Sequence, residues 1–123
     1  MAMHTNIFTF IAIALFIAAC DSHPDRSLLA QQAKQYSPQD PHLKQIYQSS
    51  CKNCHTLKDT GAPLTGDTST WHDLLNQYGK DLLLQNIING KGGMPPFGLC
   101  MECQEQDFVA LIDFMAQPMG VAE

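Results

Sequence analysis

Cys51-Lys52-Asn53-Cys54-His55 is the stretch on which the reading of this chain turns. Its reactive side chains sit at i, i+3 and i+4, offsets that share one face of a helical turn. Two thiols and an imidazole therefore project to the same side. That C-x-x-C-H spacing reads as covalent attachment of a c-type haem, with thioethers from Cys51 and Cys54 to the two vinyl groups and His55 reaching the iron. A shuffled chain of this composition would contain the pattern roughly 0.007 times, so chance is a poor explanation.

Outward from the motif, four segments carry a helical period and none alternates like a strand. The first starts at Asp40-Pro41, an N-cap acid followed by proline at the first helical position, and lines up Leu43, Ile46, Tyr47 and Ser50. The second, about 70–78, places Trp71, Leu74, Leu75 and Tyr78 on one face and stops at Gly79. The third, about 81–89, carries Leu83, Leu84, Ile87 and Ile88 and stops at Gly90. The last, about 105–116, aligns Phe108, Leu111, Ile112 and Met115. The expected fold is all-α, about four short helices around the cofactor. A core this thin needs a staple, and covalent haem supplies one.

A second iron ligand is sought in Gly90-Lys91-Gly92-Gly93-Met94-Pro95-Pro96. Glycines let backbone approach a flat cofactor. Pro95 biases Met94 toward extended backbone, and two prolines stiffen the loop while removing two N–H donors. Met94 is therefore the expected axial ligand opposite His55. Met101 and Met119 carry no such signal, and Met115 falls on a core stripe. His42 and His72 read as polar-face histidines.

The 123 residues hold seven Lys+Arg against twelve Asp+Glu, a formal charge of −5. One small domain fits that length. Residues 97–123 carry Glu102, Glu105, Asp107, Asp113 and Glu123 with no Lys or Arg. This balance argues against nucleic acid and against a polybasic membrane patch. Ile7–Ala19 is apolar but for Thr9, the length of a signal-peptide core and short for a bilayer span. Met1–Asn6 before it has no Lys or Arg. Ile17-Ala18-Ala19-Cys20 resembles the bacterial lipoprotein box, in which the cysteine is lipidated and becomes the first residue. Asp21 after it resembles the signal that keeps lipoproteins in the inner membrane. The expected organisation is a leader over 1–19, a lipid-anchored flexible tether over 20–40, the haem domain over 41–118 and a tail over 119–123. Such a leader exports the domain to an oxidising compartment, the periplasmic face of the inner membrane, or the soluble periplasm if Cys20 is unmodified. A short helix over 27–33 is the alternative to a tether without structure.

With these motifs placed, residues 41–117 resemble a class I mono-haem cytochrome c, and more narrowly the short bacterial cytochrome c-five type. The resemblance rests on the C-x-x-C-H motif, Gly61-Ala62-Pro63, Gly66-Asp67 with Trp71, Gly93-Met94-Pro95-Pro96, and Cys100-Met101-Glu102-Cys103. It implies a helical cytochrome fold whose first and last helices cross, and a Cys100–Cys103 disulfide. It also implies a carbonyl near Pro63 accepting from the His55 ring, with Trp71 close to the site. Cysteine parity then closes at one for lipid, two for haem and two for the disulfide. With no arginine in the matched region, lysines, Trp71 or backbone donors are left for the haem propionates.

A His/Met pair leaves no open iron site, and a thioether ligand favours the ferrous state. The expectation is a non-enzymatic one-electron carrier. It works between respiratory redox partner proteins, such as a membrane complex and a terminal oxidase or reductase, without a small-molecule substrate. Three other readings share the same residues. A haem enzyme or gas sensor would have Met94 displaced. A four-cysteine zinc module would use Cys51, Cys54, Cys100 and Cys103. A thiol–disulfide exchanger would use Cys100 and Cys103, although no βαβ unit surrounds them.

Overall fold

The computed structural model describes residues 25–120. The leader and Cys20 lie outside the described residues. Five α-helices and one 3₁₀ turn follow in order: α1 (Arg26–Ala33), α2 (Pro41–Ser49), α3 (Lys52–His55), α4 (Thr68–Asn89), the turn Pro96–Leu99, and α5 (Glu105–Ala116). No strand forms among the described residues, and the only ladder-like pairing among them is the single bridge between Lys91 and Met94. The fold is the small all-α arrangement expected.

The N-cap and glycine signals act where the sequence puts them. Asp40 accepts from the Leu43 N–H at 2.9 Å, with Pro41 opening α2. Asp67 caps α4 through the Thr70 N–H and hydroxyl, which starts that helix two residues before the periodicity does. Gly79 takes a non-helical φ 70° and ψ 165°, so α4 consists of two helical segments that meet at a sharp kink where the sequence places a helix stop. A residue with a Cβ disfavours that left-handed φ. Gln104 is a weak cap for α5, and Asp107 reinforces it by accepting the Gln104 N–H at 2.9 Å.

The main core joins Ile46 and Tyr47 of α2, Trp71, Leu83 and Ile87 of α4, and Phe108, Leu111, Ile112, Phe114 and Met115 of α5. α5 packs on both α2 and α4, and α4 also covers the 3₁₀ turn. Exposed His42 donates through Nε2 to the buried Asp107 carboxylate at 3.1 Å, and Lys80 pairs with Asp113, so two residues of the acidic stretch serve helix packing.

The segment over 20–40 departs from the expectation of a flexible tether. From Asp25 onward it is structured and docked. Asp25 caps α1 through the Ser27 N–H at 2.8 Å. Leu29 and Ala30 join buried Leu64 and half-buried Met119 in a second small core. Tyr36 stacks on Phe114 with ring centroids 4.8 Å apart. The tail is likewise engaged at Met119. These apolar groups are too few for a core of their own, but they complete one supplied by residues far along the chain.

Candidate haem site

The attachment motif is built by a sharp entry into α3. The Cys54 and His55 N–H groups both return to the Cys51 carbonyl, at 3.2 and 2.9 Å. Cys51 is half-buried and Cys54 exposed, and both are free thiols. Burial pushes the Cys51 thiol up, away from thiolate.

His55 is buried, and its Nδ1 lies 2.7 Å from the Pro63 carbonyl. A carbonyl only accepts, so Nδ1 carries the proton and Nε2 is left with its lone pair. Nε2 makes no hydrogen bond among the described residues. Burial lowers the His55 pKa more than the Pro63 carbonyl raises it, which keeps the ring neutral near pH 7. A neutral imidazole oriented through Nδ1–H is what an iron ligand at Nε2 requires. Two thiols on the same turn complete the set, and these residues fit a covalently held haem.

Three bonds hold the loop behind His55. The Thr65 N–H donates to the His55 carbonyl at 2.8 Å. The Tyr47 hydroxyl meets Thr65 Oγ1 at 2.9 Å, with both residues fully buried. Trp71 Nε1–H donates to the Leu64 carbonyl at 2.9 Å, while its ring lies 6.1 Å from the His55 ring. Trp71 therefore lies beside His55 and the loop that orients it.

Met94 sits half-buried against the main core, which Cys51 and Cys103 also border. Its loop is closed by reciprocal bonds, Lys91 N–H to the Met94 carbonyl at 3.1 Å and Met94 N–H to the Lys91 carbonyl at 3.0 Å. Lys91 Nζ also lies 4.1 Å from the Tyr78 ring centroid, which ties the loop to α4. A Cβ on Gly90, at φ 78°, would stand 2.9 Å from the Met94 carbonyl oxygen and 3.0 Å from the Pro96 nitrogen. That glycine is required by the loop's own backbone, whereas Gly92 and Gly93 face no neighbour within 4 Å.

A disulfide joins Cys100 to Cys103, with Cα atoms 5.4 Å apart, between the Met94 loop and α5. This removes the four-cysteine zinc reading, since half its ligands are bonded to each other. No group of three or more metal-ligating side chains forms among the described residues. Exposed His72 contacts Asn76, Met115 is buried in the core, and Met101 is 69% exposed. Sequence reasoning overlooked Thr65, Leu64 and Arg26, whose roles depend on partners up to 36 residues away.

A helical domain that presents two thiols and an Nδ1-protonated histidine on one turn defines a c-type cytochrome. Residues 38–115 match the family described as "Cytochrome C oxidase, cbb3-type, subunit III". Cytochrome c5 of Ectopseudomonas mendocina is 35% identical over 72 residues, covering 58% of this chain and 83% of that protein. Cytochrome c5 of Azotobacter vinelandii is 33% identical over 67 residues, covering 54% and 81%. A solved cytochrome c, crystallised in an electron transfer complex with nitrite reductase, is 36% identical with a TM-score of 0.55 and covers 63% of this chain and 93% of its own. The chain belongs to this family of c-type cytochromes and, within the mono-haem members, resembles cytochrome c5. Its chemistry is electron transfer by a covalently attached haem c.

Proposed function

We propose that this chain is a one-electron carrier with His55 and Met94 as the two axial iron ligands, working in an exported respiratory chain. Bound haem iron supplies reversible one-electron oxidation and reduction. Cys51 and Cys54 hold the group covalently, and the Pro63 carbonyl keeps the His55 ring turned with Nε2 free. The observation that carries the reading is the neutral, Nδ1-anchored His55 on the same turn as two free thiols. The doubly bonded Lys91–Met94 bridge supports Met94, because it limits the movement of that residue between oxidation states. With both His55 and Met94 on the iron, no position would be left open for a substrate, which would favour a carrier over an enzyme or a gas sensor.

Redox proteins are the proposed partners. Support comes from the nitrite reductase held by the solved relative and from the oxidase named in the family description. Anchorage through a lipid on Cys20, at the periplasmic face, remains part of the proposal. No helix among the described residues is long and apolar enough to cross a membrane. The docking of α1 changes the reach of such an anchor. A 20-residue coil would span on the order of 25 Å, whereas the five residues from Cys20 to Asp25 extend at most roughly 18 Å. The domain would then work close to the membrane surface.

Absorption spectroscopy tests the ligand set. The oxidised protein is expected to show the weak near-infrared sulfur-to-iron band, and Met94→Ala to lose it together with a fall in reduction potential. A band that persists in the variant refutes Met94 as ligand, and carbon monoxide binding to reduced wild type refutes the closed iron site.

A further inference from the structure

The loop that orients His55 is gripped from outside by a helix that lies before the matched region. Arg26, the first residue of α1, donates through Nε to the Lys58 carbonyl at 3.1 Å. Its terminal nitrogen donates to the Ala62 carbonyl at 2.8 Å. Ala62 immediately precedes Pro63. On the other side of Pro63, Leu64 is fully buried against Leu29 and Ala30 of the same helix. α1 thus holds the chain directly before and directly after the carbonyl that binds His55 Nδ1–H. From inside, Thr60 Oγ1 donates to the Cys54 carbonyl at 3.0 Å and accepts the Ala62 N–H at 3.3 Å.

We propose that Arg26 is a positioning residue for the iron-bound histidine, acting through the Lys58 and Ala62 carbonyls on the Pro63 carbonyl. A guanidinium presents fixed parallel donors, so two carbonyls four residues apart are held at one spacing. Holding the Ala62 carbonyl sets the plane of the 62–63 peptide, and with it the direction in which Pro63 offers its own oxygen. A hydrogen bond from the outer nitrogen of a ligating histidine controls ring orientation and ligand basicity. Arg26 adjusts that bond without touching the haem or His55. A lysine keeps the charge but cannot bridge both carbonyls in the same geometry.

The inference rests on His55 being bound to iron, and that premise is judged on wild type alone. In the reduced haem-loaded protein, the His55 ring protons should be strongly displaced by the haem ring current. Their absence from that region sinks the ligation reading, whereas the Arg26 assignment is judged by the change between wild type and variant. The test is solvent exchange of His55 Nδ1–H, measured by NMR in haem-loaded Arg26→Gln and Arg26→Lys. Losing two charge-assisted bonds should accelerate that exchange about tenfold in Arg26→Gln, with an intermediate effect in Arg26→Lys. Backbone amides of Leu111 and Ile112, deep in the main core, should keep their wild-type protection. Unchanged Nδ1–H exchange in both variants overturns the proposal. So does acceleration matched by the Leu111 and Ile112 amides, which would mean that Arg26 serves stability alone.

Discussion

Tyr47→Phe should change stability in opposite directions at neutral and alkaline pH. Tyr47 is fully buried, and its hydroxyl meets the equally buried Thr65 Oγ1 at 2.9 Å. Removing the hydroxyl loses that bond and strands the Thr65 oxygen, at a cost of about 1–2 kcal/mol near pH 7. Burial pushes the Tyr47 phenol up to about 12 from an ordinary value of 10.0, despite the opposing hydrogen bond from Thr65. The unfolded chain therefore releases this proton through pH 10 while the folded chain holds it toward pH 12. Unfolding then releases a proton, and stability falls as pH rises between these values. At pH 11 the wild-type loss from this group is about 1.4 kcal/mol, and by pH 12 it exceeds 2 kcal/mol. Phenylalanine has no such loss. The deficit of the variant should close near pH 11 and reverse above it. Guanidinium titrations of wild type and variant at pH 7, 9, 11 and 11.5, followed by Trp71 fluorescence, measure this difference with other titrating groups held common. A difference that stays constant from pH 7 to 11.5 would refute the reasoning, because it would place the phenol in contact with water in the folded state.

Non-reducing mass spectrometry of the isolated protein should find Cys100 and Cys103 linked, two mass units below the dithiol form. Replacing both by serine should lower stability by roughly 2 kcal/mol on the loop-entropy argument, measured by thermal unfolding of the haem-loaded protein. Cys20→Ala should leave haem attachment intact and move the protein from a salt-resistant, detergent-extracted membrane pellet to the soluble periplasmic fraction. Wild type found mainly in the soluble fraction, with no acyl mass on Cys20, would falsify the anchored carrier.

What the sequence determined alone is what lies within a few residues of its own signal. Cys51, Cys54 and His55 share a face because helical geometry places i, i+3 and i+4 together, whatever the rest of the chain does. Asp40 caps α2 and Gly79 kinks α4 for equally local reasons, a side-chain acceptor three residues from its donor and a φ that a Cβ opposes. The Cys100–Cys103 pairing was legible only through the family resemblance, and the folded loop brings the two Cα atoms to 5.4 Å. The role of α1 was not legible. Leu29, Ala30 and Ala33 share one buried face of α1, but three apolar groups are too few to mark a core, and Leu29 and Ala30 acquire one only when Leu64 and Met119 arrive from elsewhere in the chain. Arg26 finds carbonyls 32 and 36 residues away, and Tyr36 finds Phe114. Trp71 could offer its indole N–H to any acceptor, and only the folded loop places the Leu64 carbonyl 2.9 Å from it. Such contacts depend on which loops close against which. Closure is decided by the summed burial of the whole core, and no local window of sequence contains that sum.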